Sequence, residues 1–494
     1  MVNNKKSSKY KSELCDNEMT FQDCEMAILR NAMDEAENNI KKKNVNSGEI
    51  NKLIKILEDF LIKKKLITYG GLAINNILPK EAQFYDRDVE IPDYDFYSPN
   101  AMDDAIELAD IYYKLGYTEV EAKAGVHFGT YKVYVNFIPL ADITNIPKKL
   151  YDSIAEEAIT IEKIRYSPPN FLRMNMYLEL SRPAGDVSRW DKVLKRLTLL
   201  NQYYPFSTEY DCNKVDFQRQ METTEEKTQE RIYTVIRDSF IDQGVVFFGG
   251  YASSLYGKYM PYKQQKMIKK IPDFDVLAED PELVSTNLLK KLHKMGFENA
   301  YIKKNEELGE IIPMHYEIHI GDELLAFIYQ PIACHSYNTI HIGGKKINIA
   351  TIDTMMTFYL AFYYADKLYY NNDRIMCMAQ FLYDVQKHNR LEQNGLLKRF
   401  SINCYGKQEG LDKIRSKKTE KFKELSDKKE SREYKEWFLK YTPSKKSNKK
   451  IHSPNSSSIK QTKKQTKKQT KKQTKKQTKK QTNQKDVLNI FDIA

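Results

Sequence analysis

No run of about 18 apolar residues occurs anywhere in the 494-residue chain, so nothing in it reads as a membrane-spanning helix. The first twenty residues, MVNNKKSSKYKSELCDNEMT, lack the apolar core of a secretory leader. Cysteine is sparse: Cys15, Cys24, Cys212, Cys334, Cys377 and Cys404 lie far apart and form no Cys-x-x-Cys pair, which indicates neither a zinc site nor a disulfide framework. These absences predict a soluble, unsecreted protein whose thiols are reduced, structural and cytosolic. Positive charge is missing too, from the place where a sum would put it. The chain holds 79 Lys+Arg against 67 Asp+Glu, a formal +12, which alone suggests a nucleic-acid binder. Sixteen of the lysines, with only Asp486 and Asp492 as acids, follow Ser444, so residues 1–444 carry 63 basic and 65 acidic groups, a net −2. Lys, Asn, Ile and Tyr are all abundant, as an AT-rich genome would produce, so their counts carry little argument.

What is present begins with length and repetition. At roughly 100 to 200 residues per domain, the chain is too long for one core and suggests two or three. Its end repeats QTKK five times from Gln461 to Lys480, a tract that cannot build a core and stays extended by self-repulsion. It reads either as an electrostatic arm for phosphate backbones or as a repeat expansion of little consequence. The closing Val487–Ala494 is apolar enough to be an interaction peptide.

A longer period runs through the body. Lys52–Gly71 (KLIKILEDFLIKKKLITYGG) aligns without a gap to Arg231–Gly250 (RIYTVIRDSFIDQGVVFFGG). Each copy predicts an amphipathic helix, with Leu53, Ile56, Leu57 and Phe60 apolar in the first, then a short buried strand ending in Gly-Gly. The register continues to Ile91-Pro92-Asp93-Tyr94-Asp95-Phe96 and Ile271-Pro272-Asp273-Phe274-Asp275-Val276, then to helix ends at Leu115-Gly116-Tyr117 and Met295-Gly296-Phe297. Tyr131–Thr144 (YKVYVNFIPLADIT) and Tyr316–Tyr329 (YEIHIGDELLAFIY) follow as hairpins, the second turning at Gly321-Asp322. The organisation expected is an N-terminal helical segment (1–50), a first α/β unit (51–205), a linker (206–229), a second unit (230–400), a charged, solvent-facing helical segment (401–443) and a disordered Lys-rich tail (444–494). The fold class is α/β (α+β), a tandem duplication of one mixed sheet flanked by helices.

The chemistry lies in three aspartates and two glycines. Side chains alternate along a strand, so Asp93 and Asp95 share one face. Adjacent carboxylates repel unless a cation sits between them, and oxygen-only donors suit Mg²⁺. Asp142, on the neighbouring hairpin, would complete the set. Gly70 and Gly71, where a strand gives way to a helix starting near Leu72, let the backbone approach a phosphate at a helix N-terminus. Gly-Gly alone is an ordinary turn, and Asp-x-Asp alone an ordinary strand edge; their order, spacing and recurrence carry the inference. In the second copy Phe327 stands where the first has Asp142, so the second should be catalytically dead. Its Gly249, Gly250, Asp273 and Asp275 are either remnants of the fold or a vestigial nucleotide or metal site. Downstream, Pro168-Pro169 marks a helix start and Ser188-Arg189-Trp190-Asp191 reads as a capping box. The helix after it places Val193, Leu194, Leu197 and Leu200 on one face and Arg189, Lys192, Lys195 and Arg196 on the other, facing triphosphate, RNA or solvent. His127 and His315 receive no role.

Gly-Gly, Asp-x-Asp and a third Asp on a following strand resemble the polymerase β-type nucleotidyltransferase fold. More closely, YGGLAINNILP, IPDYDFYSP and VYVNFIPLADIT, set in a tandem duplication, resemble the poly(A) polymerases of giant, mimivirus-like DNA viruses, with the poxvirus catalytic subunit more distant. The resemblance covers about residues 50–400. It implies template-independent addition of AMP from ATP to RNA 3′ ends, with two Mg²⁺ (or Mn²⁺) ions held by Asp93, Asp95 and Asp142. Gly70, Gly71, Lys192, Lys195 and Arg196 would bind the nucleotide, and the second copy would frame the RNA path. It further implies a homodimer in the host cytoplasm or virion. One departure is that many members place Ser just after the first Gly, whereas Leu72 and Ala73 follow Gly71 here, leaving phosphate contacts mainly to backbone N–H groups. Another terminal nucleotidyltransferase, such as a uridylyltransferase, and a noncatalytic RNA-binding scaffold are the competing readings.

Overall fold

The structure is a computed structural model that describes residues 10–16, 18–45, 48–85, 92–217, 225–259, 273–309, 311–365 and 370–444. The QTKK tail, the Val487–Ala494 peptide, the middle of the linker and Ile271-Pro272 lie outside the described residues. Met1–Ser444 packs as one compact unit.

The first half is built on β1 (Ile67–Thr68), β2 (Tyr94–Ser98), β3 (Val120–Ala124), β4 (Thr130–Val135), β5 (Ile138–Asn145), β6 (Ile159–Ile161) and β7 (Ile164–Tyr166). The second half is built on β8 (Val246–Phe248), β9 (Phe274–Leu277), β10 (Ala300–Asn305), β11 (His315–Ile320), β12 (Glu323–Tyr329), β13 (His335–Ile342) and β14 (Lys345–Ala350). β15 (Cys404–Tyr405) and β16 (Lys440–Tyr441) complete two eight-stranded sheets. Their orders are β16-β3-β4-β5-β2-β1-β7-β6 and β10-β11-β12-β9-β8-β14-β13-β15. Removing β15 and β16 leaves the same order in both, so the duplication extends one hairpin beyond the hairpin alignment, to β6-β7 and β13-β14.

The helices are α1 (Phe21–Val45), α2 (Gly48–Lys64), α3 (Gly70–Ile77), α4 (Ala101–Lys114), α5 (Lys148–Glu156), α6 (Pro169–Leu180), α7 (Trp190–Tyr203), α8 (Glu226–Asp242), α9 (Gly249–Tyr256), α10 (Pro281–Lys294), α11 (Ile352–Ala365), α12 (Asn372–His388), α13 (Leu411–Leu425) and α14 (Arg432–Phe438). The heptad-like spacing of α2 buries Leu53, Leu57, Phe60 and Leu61 against the first sheet, each such side chain contributing roughly 1.5–3 kcal/mol. α4 and α10 end where Gly116 and Gly296 take φ of +100° and +92°, the left-handed step that stops a helix. The β4–β5 hairpin turns through Asn136 and Phe137, both with positive φ, while β11–β12 turns through Gly321 and Asp322. None of the helices found among the described residues is long and apolar enough to cross a membrane.

α6 and α11 hold corresponding places, each after its sheet's terminal hairpin, and they pack against each other between the halves. Phe171 meets Tyr364 edge-on at 5.1 Å, Tyr364 Oη donates to Glu157 at 2.8 Å, and Ser336 N–H donates to the Ser181 carbonyl at 2.8 Å. The charged C-terminal segment crosses back to the first half. α13 is largely exposed, as its sequence suggested, but β16 pairs antiparallel with β3, and Tyr441 Oη donates to Asp110 at 2.7 Å.

Two sequence expectations fail here. The cysteines are not free: Cys15–Cys24, Cys212–Cys377 and Cys334–Cys404 are paired, with Cα atoms 5.1–5.3 Å apart. The last two pairs span 165 and 70 residues, and tertiary crossing of the linker over α12 and of β15 over β13 creates them, which local spacing cannot show. The Ser188 capping box is absent as well. Ser188 lies in a short 3₁₀ turn with its hydroxyl on Asp186 at 2.5 Å, and α7 starts at Trp190 with no side-chain cap.

Candidate active site

β2 and β5 lie side by side and parallel, with Asp95 directly opposite Asp142. Asp93 stands just before β2, exposed to solvent. Burial pushes the Asp95 carboxyl up to about 7, and the neighbouring charges of Asp142 and Asp93 push the same way. This is the electrostatic signature of carboxylates gathered in one place without enough positive charge. Part of the compensation comes from Lys132, opposite Asp142 on β4, whose Nζ donates to Asp142 Oδ2 at 2.6 Å. Burial works against that ammonium, but its hydrogen bond to Asp142 and the charge of Asp142 raise its pKa overall. Sequence reasoning missed Lys132; counted from the turn at Asn136-Phe137 it would face Ala141, and the register shift between Val133 and Tyr134 is what sets it opposite Asp142.

The glycines enclose the same carboxylates from the other side. Tyr69 N–H donates to the Asp95 carbonyl at 2.9 Å, tying the end of β1 to β2. Gly70 then takes φ +72°, and a Cβ built there would sit 2.8 Å from Asp95 Oδ2. Only glycine permits both that φ and that approach. α3 begins with the glycines themselves, two residues earlier than expected. At Gly71 a Cβ would meet the Tyr85 hydroxyl and, at 2.9 Å, Arg196 Nη1. Arg196 Nη2 donates to Tyr85 Oη at 2.8 Å, and its guanidinium lies over the Phe84 ring at 5.0 Å. One of the basic residues of α7 therefore stands at the Gly-Gly turn, held by two aromatic residues.

The other basic residues expected on this helix are less closely engaged, and Arg189 falls in the 3₁₀ turn before it. Lys192 is exposed, Lys195 pairs with Asp191 on the helix surface at 2.7 Å, and Arg189 pairs with Glu179 at 3.0 Å. The carboxylates do not form a ready-made cage: among the described residues no group of three or more His, Cys, Asp and Glu lies in metal-holding geometry. As a donor set, two facing strand-borne carboxylates, a third at the strand mouth and an excess of negative charge fit a hard divalent cation.

The second half repeats the frame with different contents. β9 and β12 are again parallel, and Phe327 is directly opposite Asp275, in the place Asp142 takes opposite Asp95. Gly249 has φ +67° and abuts Asp275. Asp273 is buried and paired with Arg374 at 2.8 Å. Arg374 is the third residue of α12, as Lys192 is of α7, in the matching strings Asn372-Asp373-Arg374-Ile375 and Trp190-Asp191-Lys192-Val193. A fixed guanidinium thus neutralises the second copy internally, and nothing in the sequence singled it out.

A family model for the poly(A) polymerase catalytic subunit matches residues 55–186, the segment that contains Gly70, Gly71 and all three aspartates. Residues 55–186 match the poly(A) polymerase catalytic subunit family. Putative poly(A) polymerase catalytic subunits of African swine fever virus are 34% identical over 171 residues, covering 33% of this chain and 36% of theirs. A protein of the same description from Acanthamoeba polyphaga mimivirus is 28% identical over 248 residues, covering 48% of this chain and 41% of its own. The chain thus matches about two fifths or less of the length of these poly(A) polymerase relatives. The crystal structure of the Megavirus polyadenylate synthase superposes with a TM-score of 0.71 at 20% identity, covering 84% of this chain and 86% of that one. It shares the fold.

Proposed function

We propose that this protein is a template-independent polynucleotide adenylyltransferase that adds AMP from ATP to RNA 3′ ends. The observation that carries the reading is the Asp95–Asp142 pair on parallel strands, capped by Gly70 and flanked by Asp93. The family match over the same residues and the relatives named for polyadenylation support it.

Asp93, Asp95 and Asp142 would hold divalent cations, which when bound supply charge neutralisation at the reacting phosphate and a more acidic 3′ hydroxyl. The chain's own groups supply the positioning. Gly70 and Gly71 keep the start of α3 open to a triphosphate, and Arg196, braced by Tyr85 and Phe84, brings a fixed guanidinium to that turn. Lys192 lies at the helix position from which Arg374 reaches Asp273, which favours a triphosphate oxygen as its partner in the first half. In the transfer, the RNA 3′ oxygen bonds to the α-phosphorus as the bond to the β-phosphate bridging oxygen breaks. Pyrophosphate departs and the hydroxyl proton is released; no covalent enzyme intermediate forms. The second half, with Phe327 in place of an acid and Arg374 on Asp273, has no corresponding chemistry.

Primer extension on a short labelled RNA with each NTP in turn, plus Mg²⁺ or Mn²⁺, tests the reading. Long products with ATP alone are expected. Equal use of UTP would overturn the adenylyl assignment, and no extension with any nucleotide would leave the noncatalytic scaffold.

A further inference from the structure

A body of net charge −2 must hold RNA through a local surface, and the structure shows where positive charge gathers. Residues 1–400 carry 51 basic and 57 acidic groups, whereas residues 401–444 carry 12 basic and 8 acidic ones. That positive segment docks beside the candidate active site. β4 and β5 run from the carboxylates outward: Lys132 is opposite Asp142, Thr130 is opposite Thr144, and Asn145 N–H donates to the Gly129 carbonyl. Asn145 is three strand steps beyond Asp142, about 10 Å at 3.3 Å per residue. The loop that begins there, Gly125–Gly129, is where the C-terminal segment lands. Lys418 Nζ of α13 donates to the Gly125 carbonyl at 2.5 Å.

Aromatic rings continue from this loop across both C-terminal helices. Phe128 packs on Trp437 with centroids 4.4 Å apart, Trp437 is 6.4 Å from Phe438, and Phe438 is 5.6 Å from Phe422. The middle of the run joins α14 to α13, but its ends stay open: Phe128 is 51% and Phe422 45% exposed. Arg415 and Lys418 lie on the turns of α13 before Phe422, and Lys421 adjoins it. Lys418 is committed to the loop, whereas Arg415 and Lys421 pair only with surface acids, Asp412 at 3.5 Å and Glu424 at 2.8 Å. Exposed rings beside cations that can exchange such partners for phosphate are the arrangement by which single strands are held without sequence preference.

We propose that the Gly125–Gly129 loop and the α13–α14 pair bind single-stranded RNA upstream of its 3′ end, bases stacking on Phe128 and Phe422 and phosphates meeting Arg415 and Lys421. This rests on the nucleotidyltransferase reading for its orientation, with the 3′ end at Asp142, but not for the binding itself. The surface explains how a near-neutral body holds a polyanion, and it assigns the charged C-terminal segment a role other than solvation.

The test is direct binding of fluorescent oligoadenylates of about 4 and about 16 nucleotides, spanning the range of single-strand site sizes, to the full chain at fixed salt. Loss of one stacked base lowers affinity about 5- to 100-fold, so Phe128→Ala and Phe422→Ala should each weaken the longer oligomer by at least fivefold and the shorter one less. Phe128→Trp should restore binding. Arg415→Gln with Lys421→Gln should flatten the dependence of log affinity on log salt by about 1.4, or 0.7 per lost phosphate contact. Unfolding midpoints measured on each variant separate lost binding from lost structure. Well-folded variants that bind the longer oligomer like wild type overturn the proposal, as does a loss that Phe128→Trp leaves uncorrected. Because the readout is affinity, a chain that binds in this way yet extends no primer would retain this surface and refute the catalytic reading alone.

Discussion

Gly70→Ala separates the chemistry of the site from the stability of the fold, because the duplication supplies its own control in Gly249→Ala. At Gly70 the substitution asks an L-residue to hold φ +72° and places a Cβ 2.8 Å from Asp95 Oδ2. The backbone penalty is about 1–2 kcal/mol. Asp95 is only half-buried, so its carboxylate can turn aside instead of straining the strand. That limits the drop in unfolding midpoint to a few degrees but misplaces the carboxylate oxygen proposed to bind metal by the order of 1 Å, a displacement worth about 100-fold in rate. At Gly249 the φ is +67° and the added Cβ runs into Asp275, which is 7% exposed and cannot swing away. Gly249→Ala should therefore cost more stability than Gly70→Ala and leave the rate per folded molecule unchanged. The assays are thermal unfolding and ATP-dependent primer extension corrected for folded fraction. A Gly70→Ala enzyme with wild-type turnover, or equal rate losses in the two variants, would refute the argument that only the first glycine guards a working carboxylate.

Asp273→Asn should cost about 3–5 kcal/mol, since Arg374 would be left as a buried, uncompensated charge, without lowering turnover of the folded fraction; urea unfolding and extension assays read the two effects. His335 is 1% exposed with neither ring nitrogen hydrogen-bonded, and burial, with Arg182 nearby, lowers its pKa to about 3. The unfolded chain then binds the extra proton between pH 6.5 and about 3. Stability is complete above pH 6.5 and falls as the pH drops, by about 2 kcal/mol at pH 5 at 1.4 kcal/mol per unit. His335→Leu should remove that slope in urea titrations at pH 7 and pH 5, and an unchanged slope would reject the assignment. Deleting residues 445–494, with their sixteen lysines, should weaken RNA binding and flatten its salt dependence while extension persists; an unaltered slope would mean the tail does not touch RNA.

The parts of this architecture that could be read from sequence are those in which a local pattern repeats. The Gly-Gly turns, the helix-ending Gly116 and Gly296 and the Asp-x-Asp strands recur at matched spacing, and the ungapped hairpin alignment put Phe327 in Asp142's place, which is the strand register observed. What escaped notice depends on long-range approach. Arg196 stood among the nucleotide-binding candidates, but nothing local set it apart from Lys192 and Lys195; its neighbours Phe84, Tyr85 and Gly71 are more than 110 residues away. Arg374 sits in an ordinary amphipathic helix, and only folding brings it to Asp273. The Cys212–Cys377 and Cys334–Cys404 pairs join distant segments in the same way. The Ser188 pattern erred oppositely, since a local motif was satisfied by Asp186 before the helix began.

The pairing of β16 with β3 gives the two halves an unequal topology. The first sheet takes its outermost strand from residues 440–441, so the whole second half is an insertion within the first, with the C-terminal segment acting as a clasp. A recombinant fragment ending near residue 205 would carry every candidate catalytic residue yet leave the β3 edge bare, an open template for intermolecular strand addition. An isolated first half should therefore be soluble only when residues 401–444 are supplied with it, in trans or through a linker that replaces the insertion.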